Sequence, residues 1–220
     1  MSHGDALREF GIHEVAADAR VTGFVALVLQ PDVATIRAAY AEAAAGLPRT
    51  AEQALGHGSL PHLTLTQCMV REAPRARFAE YVARLDGQLR GLEVPLRRSA
   101  PFGAGFLFWH VDGDSPARAI LQAAHEDAIA VGEGLLDTVA NAAIVEGTKK
   151  VTNDDPVLLA YARRYGYAFV RERYLPHITL GFDATVAALP SRERSHTMTV
   201  TRVLLARLGP LGRVETVLAL

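Results

Sequence analysis

The hexapeptide LPHLTL at residues 60–65 returns as LPHITL at residues 175–180, and this repetition governs how the rest of the chain reads. The copies differ only at Leu63 against Ile178, one aliphatic for another. In a strand, residues two apart share a face. His62 and Thr64 therefore project together, with Leu63 and Leu65 on the other side. His177 and Thr179 stand in the same way against Ile178 and Leu180. Each copy anchors one face in a core and offers an imidazole beside a hydroxyl on the other. Pro61 and Pro176 donate no ladder hydrogen bond, which assigns them to a strand's first residue or to an edge. Packing alone does not require the same polar pair twice, although strand propensity accounts for a single threonine.

Outward from the motifs, strand and helix signals interleave from end to end. RVTGFVALVLQ (20–30) is a near-continuous apolar run, suited to a strand buried on both faces. A helix follows, with Asp32 as N-cap and Val33, Ile36, Tyr40 and Ala44 at helical spacing, ending at Gly46 and Pro48. A second helix runs from about Pro74 to Gly91, its apolar face made of Phe78, Tyr81, Val82, Leu85 and Leu89. Two strand-like segments, LEVPLRR and AGFLFWHVDG, precede a third helix that starts at Ser115-Pro116 and buries Ala117, Ile120, Leu121 and Ala124. Residues 132–155 carry no clear period, and a helix from Asp155-Pro156 to Gly166 leads to the second motif. The tail alternates as two further strands joined through Gly209-Pro210. Two motif copies at long period are not a solenoid, which needs three or more at short period. They predict an α+β protein, one domain over 1–220, with two related lobes facing across a cleft.

Composition narrows the function. Half of the 220 residues are apolar, and 23 basic side chains stand against 24 acidic ones. A dedicated binder of long nucleic acid shows a basic excess, so a small or short substrate fits better. The single cysteine, Cys68, excludes an intramolecular disulfide and suggests a reducing compartment. Residues 1–20 contain no apolar h-region, and runs such as GFVALVL are too short to span a bilayer. The expectation is a cytoplasmic protein with no membrane association and no obligate protein partner.

Two imidazoles can divide the work of general base and general acid, because each titrates near neutral pH. Two threonine hydroxyls can hold the non-bridging oxygens of an anion between them. A phosphodiester suits that layout. One histidine takes a proton from the attacking water, and the other returns one to the leaving oxygen. The paired His-x-Thr motifs, each with an aliphatic residue after His and after Thr, resemble the two-histidine (2H) phosphoesterase superfamily. Within it the chain is most similar to the bacterial 2′-5′ RNA ligase and 2′,3′-cyclic phosphodiesterase group. The order of elements is similar too: strand and helix, first motif, helix, aromatic strand, helix, second motif, two closing strands. The resemblance implies a bilobal fold of two related, mainly antiparallel sheets around a central groove, and an enzyme without a metal or other cofactor. It implies that His62 and His177 are the acid/base pair and that Thr64 and Thr179 hold phosphate. The implied substrate is a small nucleotide or an RNA-end phosphodiester, hydrolysed or sealed as a 2′-5′ link. A binding module that holds such an end without turning it over is the alternative.

The two histidines lie 115 residues apart, which is wide for the family that the chain resembles, and the resemblance implies an insertion at roughly 130–160 able to cover the groove. This segment carries the only two lysines, Lys149 and Lys150, read as candidate substrate contacts. In FLFWHV, Phe106, Phe108 and His110 share one face and Leu107, Trp109 and Val111 the other. Trp109 is a candidate for stacking a base, and Tyr174, three residues before His177, a candidate for lining the cleft. A zinc set of His62, His177 and either His57 or His110 lacks the supporting His-Glu-x-x-His helix or cysteine pair. The acidic runs DGD (112–114) and NDD (153–155) read as loop and helix-capping residues. Cys68 has the parity of His62 but lies about 20 Å along the strand and reads as a small buried apolar residue.

Overall fold

His13–Ala16 forms β1, a short exposed strand with no apolar signature, which the sequence did not announce. It leads into β2, Arg20–Pro31, whose residues from Val25 onward are buried on both faces. The coordinates are a computed structural model that describes residues 7–48, 55–103, 105–132, 134–152 and 154–220, without the side chains of 150–152. Helix α1, Val33–Gly46, begins where expected: the Asp32 carboxylate accepts from the Thr35 amide at 3.0 Å. The same carboxylate accepts from the Thr199 amide at 2.8 Å, so the cap also fixes the helix to a distant strand.

The first motif opens β3, Leu63–Pro74, followed by α2, Arg75–Leu89, β4, Glu93–Phe102, and β5, Phe106–Val111. Helix α3, Pro116–Ile129, buries Ala117, Leu121 and Ala124, whereas Ile120 is exposed. The Ser115 hydroxyl donates to the Asp112 carbonyl at 2.8 Å instead of capping the helix. Within the stretch that carries no clear period lies α4, Asn141–Thr152; α5, Pro156–Tyr165, follows. The Asp155 carboxylate caps α5 and Gly166 ends it at φ +75°, a conformation that favours glycine. The second motif opens β6, His177–Phe182, ahead of β7, Arg192–Leu208, and β8, Val214–Ala219.

The resemblance implies two sheets. Hydrogen bonding instead joins all eight strands into one, in the order β1-β8-β7-β2-β3-β6-β5-β4. The cause is β7, 17 residues long, whose first half pairs with β4 and whose second half pairs with β2 and β8. The β7–β4 contact makes a ring of β7, β2, β3, β6, β5 and β4. All pairings are antiparallel except that of β1 with β8.

Strand β3 meets β6 through one residue pair, Leu63 opposite Ile178, and the strands then diverge. The freed edge of β3 is taken up by the stretch before α4: the Arg71 amide donates to the Leu135 carbonyl and the Asp137 amide to that of Met69. An open gap therefore forms directly beside the motifs, and part of the freed β3 edge is paired again at Met69 and Arg71. Leu63, Leu65, Ile178 and Leu180 all lie in the main core, as the alternation predicts. Helices α4 and α5 bring a small core of their own around Val145, Leu158, Leu159 and Ala162.

Candidate active site

The pairing of Leu63 with Ile178 determines the geometry of the site. Continuing that antiparallel register by one residue each way sets His62 beside Thr179 and Thr64 beside His177. All four then face the same side, with the histidines on one diagonal and the threonines on the other. Such diagonals span about 7–8 Å in a regular sheet. The local arrangement has an approximate two-fold axis through the Leu63–Ile178 pair. All four side chains line one cleft of about 270 Å³.

Each imidazole is held in the same way. His62 Nδ1 lies 2.8 Å from the Leu60 carbonyl, and His177 Nδ1 lies 2.6 Å from that of Leu175. A carbonyl can only accept, so Nδ1 carries the hydrogen and Nε2 keeps its lone pair in the neutral ring. Each accepting carbonyl belongs to the residue before the motif proline, which accounts for the matched Leu-Pro-His spelling. Burial pushes the pKa of His62 down. Burial also pushes His177 down, to about 3, helped by the neighbouring His110 and His62. Phe108 stacks on the His177 ring with centroids 3.6 Å apart.

Just past each motif a β-bulge occurs at the corresponding leucine. Leu27 and Val28 of β2 face Thr66 and Thr64, leaving Leu65 as the extra residue. Leu107 and Phe108 of β5 face Gly181 and Thr179, leaving Leu180 extra. A bulge shifts the alternation by one. In β3 the half-buried positions run Thr64, then Gln67 and Met69; in β6 they run His177, Thr179, then Phe182. Gln67 is thereby turned into the cleft, and Cys68 is placed in the core.

Phe24 and Gln67 form part of one cleft wall, Phe102, Phe106, Phe108 and Phe169 part of the other. The 209–212 turn closes one end, and Leu211 there holds a left-handed φ of +55° that a leucine rarely adopts. Helix α4 reaches the groove: Ile144, Gly147 and Thr148 line it. Sequence reasoning missed Gln67 because a single inserted residue leaves no mark in composition. It missed Phe24, Phe169 and Leu211 because nothing local ties them to the motifs.

Three expected substrate contacts are elsewhere. Trp109 is 3% exposed and points into the core, its indole N–H donating to the Arg194 carbonyl at 2.9 Å; the Phe108 face of β5 is the one that meets the cleft. Tyr174 is buried, stacked on His125 at 4.1 Å, and its hydroxyl donates to the Thr64 carbonyl at 2.9 Å. It ties the approach to the second motif onto the first. Lys149 pairs with Glu146 at 2.8 Å and lines a separate surface depression with Arg163. The Lys150 side chain lies outside the described residues. Among the described residues no three His, Cys, Asp or Glu side chains are grouped to hold a metal ion, and no helix is long and apolar enough to cross a membrane.

No protein-family model and no curated protein sequence matches the chain. Among solved structures it is similar to the crystal structure of TT0787 of Thermus thermophilus, with a TM-score of 0.52 and 20% identity, covering 89% of this chain and 95% of that one. At that identity the likeness concerns the fold alone.

Proposed function

We propose that this protein is a metal-independent phosphodiesterase of the two-histidine type, with a bilobal arrangement of two related sheet halves about the cleft. It hydrolyses a 2′,3′-cyclic phosphate or a related nucleotide or RNA-end phosphodiester. The observation that carries the reading is the symmetric quartet: two imidazoles, each with Nδ1 held by a carbonyl, diagonal to one another across two threonines in one cleft. A phosphate seated over it has a ring nitrogen on either side, as in-line displacement requires, and a hydroxyl for each non-bridging oxygen. One neutral Nε2 accepts a proton from water as its oxygen attacks phosphorus. The other, protonated, gives its proton to the departing ribose oxygen. Microscopic reversibility allows the same site to form a 2′-5′ link.

The depressed pKa of His177 favours a second reading, a module that binds a nucleotide or RNA end without catalysis, because a neutral pair contains no acid. Against it, a phosphodiester anion beside the ring favours the charged form and raises the pKa on binding. The deciding experiment follows 2′,3′-cyclic nucleotides by phosphorus NMR in EDTA for wild type, His62→Ala and His177→Ala. Turnover that either substitution abolishes is the expected result. Binding without turnover by the folded wild type establishes the module instead.

A further inference from the structure

The two copies of the motif agree through the bulge and part company immediately after it. Five residues beyond His62 stands Gln67; five beyond His177 stands Phe182. The matching bulges at Leu65 and Leu180 give both positions the same relation to their motifs. Phe182 sets its ring edge-on to Phe106, with centroids 5.0 Å apart. Gln67 faces the cleft half-buried, and its amide has no hydrogen-bond partner among the described residues. The half of the site that would hold phosphate is thus two-fold, and the symmetry breaks where the side chain changes from a phenyl ring to an amide.

The amide is open to solvent in the cleft, so a ligand seated among the phenyl rings must replace the hydrogen bonds that it makes to water. The rings of Phe24, Phe102, Phe106 and Phe169 suit a planar aromatic group, and stacking on them tolerates any heterocycle. The amide supplies what they lack, one donor and one acceptor side by side. We propose that Gln67 is the specificity-determining residue of the cleft: the substrate carries a nucleobase held among these rings, and the Gln67 amide pairs with its hydrogen-bonding edge. The inference rests on the phosphodiesterase reading for the position of the phosphate and adds which side chain reads the base.

The test compares the 2′,3′-cyclic phosphates of the four ribonucleosides and of unsubstituted purine riboside, with glycerol 1,2-cyclic phosphate as a baseless reference. In the wild type, kcat/KM for purine riboside should fall about tenfold or more below the best natural base, the usual size of one lost two-point edge contact. Gln67→Leu should close that gap, each rate being taken relative to that of the baseless ester with the same variant. Gln67→Glu, which keeps the size and removes the donor, should reorder the four bases. A gap that survives in both variants overturns the proposal. If the wild type hydrolyses none of the esters, the function proposed above fails, and calorimetric titration with the corresponding nucleoside 2′-monophosphates decides the role of Gln67. Base-dependent affinities levelled by Gln67→Leu support it; equal affinities in the wild type overturn it.

Discussion

The phenyl ring of Phe108 lies against the imidazole of His177, with centroids 3.6 Å apart and planes 19° from parallel. Phe102 continues the stack, 4.7 Å beyond Phe108 and 20° from it. One catalytic candidate is thereby the last ring of an aromatic column, oriented by the column on its face and by the Leu175 carbonyl at its edge. Phe108→Leu shortens the column and lets water approach. The imidazole pKa, read by NMR from the ring carbon signals, should rise from about 3 toward its ordinary value. A pKa unchanged by the substitution would remove Phe108 from the account.

The same depression makes stability depend on pH. A histidine with a folded pKa near 3 and an unfolded one near 6.5 binds fewer protons folded than unfolded between those values. Stability therefore rises with pH across that window and is lost as pH falls through it. His110, pushed down to about 4 by burial and by Arg98, acts in the same direction. Urea midpoints measured from pH 7 down to pH 4 should decline in the wild type and decline less in His177→Gln.

Substrate binding should take up a proton. At pH 7 His177 is neutral in the unliganded protein, and the proposed mechanism needs one imidazole charged when phosphate is bound. Calorimetric titration with a non-hydrolysable cyclic phosphate analogue in buffers of different ionisation enthalpy should return an uptake approaching about one proton. No uptake would mean that the neutral pair is the working form, and general acid catalysis by a histidine would be lost.

The threonines and Tyr174 should separate cleanly. Thr64→Val and Thr179→Val each remove a donor aimed at the proposed phosphate, and kcat should fall about 10²-fold for each. Tyr174→Phe leaves the cleft lining intact and deletes the bond to the Thr64 carbonyl. Its cost should appear in unfolding, about 1–2 kcal/mol, with kcat/KM nearly unchanged.

Gly147, inside α4, would place an added Cβ in open space, with nothing within 4 Å. Gly147→Ala should therefore stabilise the protein by about 0.4–1 kcal/mol through the lower entropy of its unfolded chain, a rise in Tm of about 2–4 °C at most for a chain of this length. A fall in Tm would show that the helix does not hold this position as described.

Much of this arrangement was legible in the sequence because it follows from local rules. The apolar run of β2, the Asp32 and Asp155 caps, and the shared face of His62 and Thr64 are each set by residues within a few positions of one another. What stayed hidden depends on partners far away. Strict alternation puts Gln67 in the core, and the bulge at Leu65 turns it into the cleft; Cys68 is buried as expected, though by the bulge and not by its parity. Alternation also separates Phe108 from Trp109 without saying which face meets the cleft; β5 takes its orientation from β4 and β6. Helix α4 lacks a strong pattern because it packs on α5 through a small core and opens its other side to the cleft.

Strand β7 runs unbroken beneath both halves, paired with β4 before its midpoint and with β2 after it. A single backbone is thus a structural member of each half, and the Leu63–Ile178 bridge joins them again at the far side. The ring of strands is closed at two separate seams. Both histidines flank the Leu63–Ile178 seam, so the pairing of β3 with β6 sets the span between them. Helix α4 and the 209–212 turn, which also line the cleft, lie outside this ring of strands. The protein's working clearance is a property of its joinery.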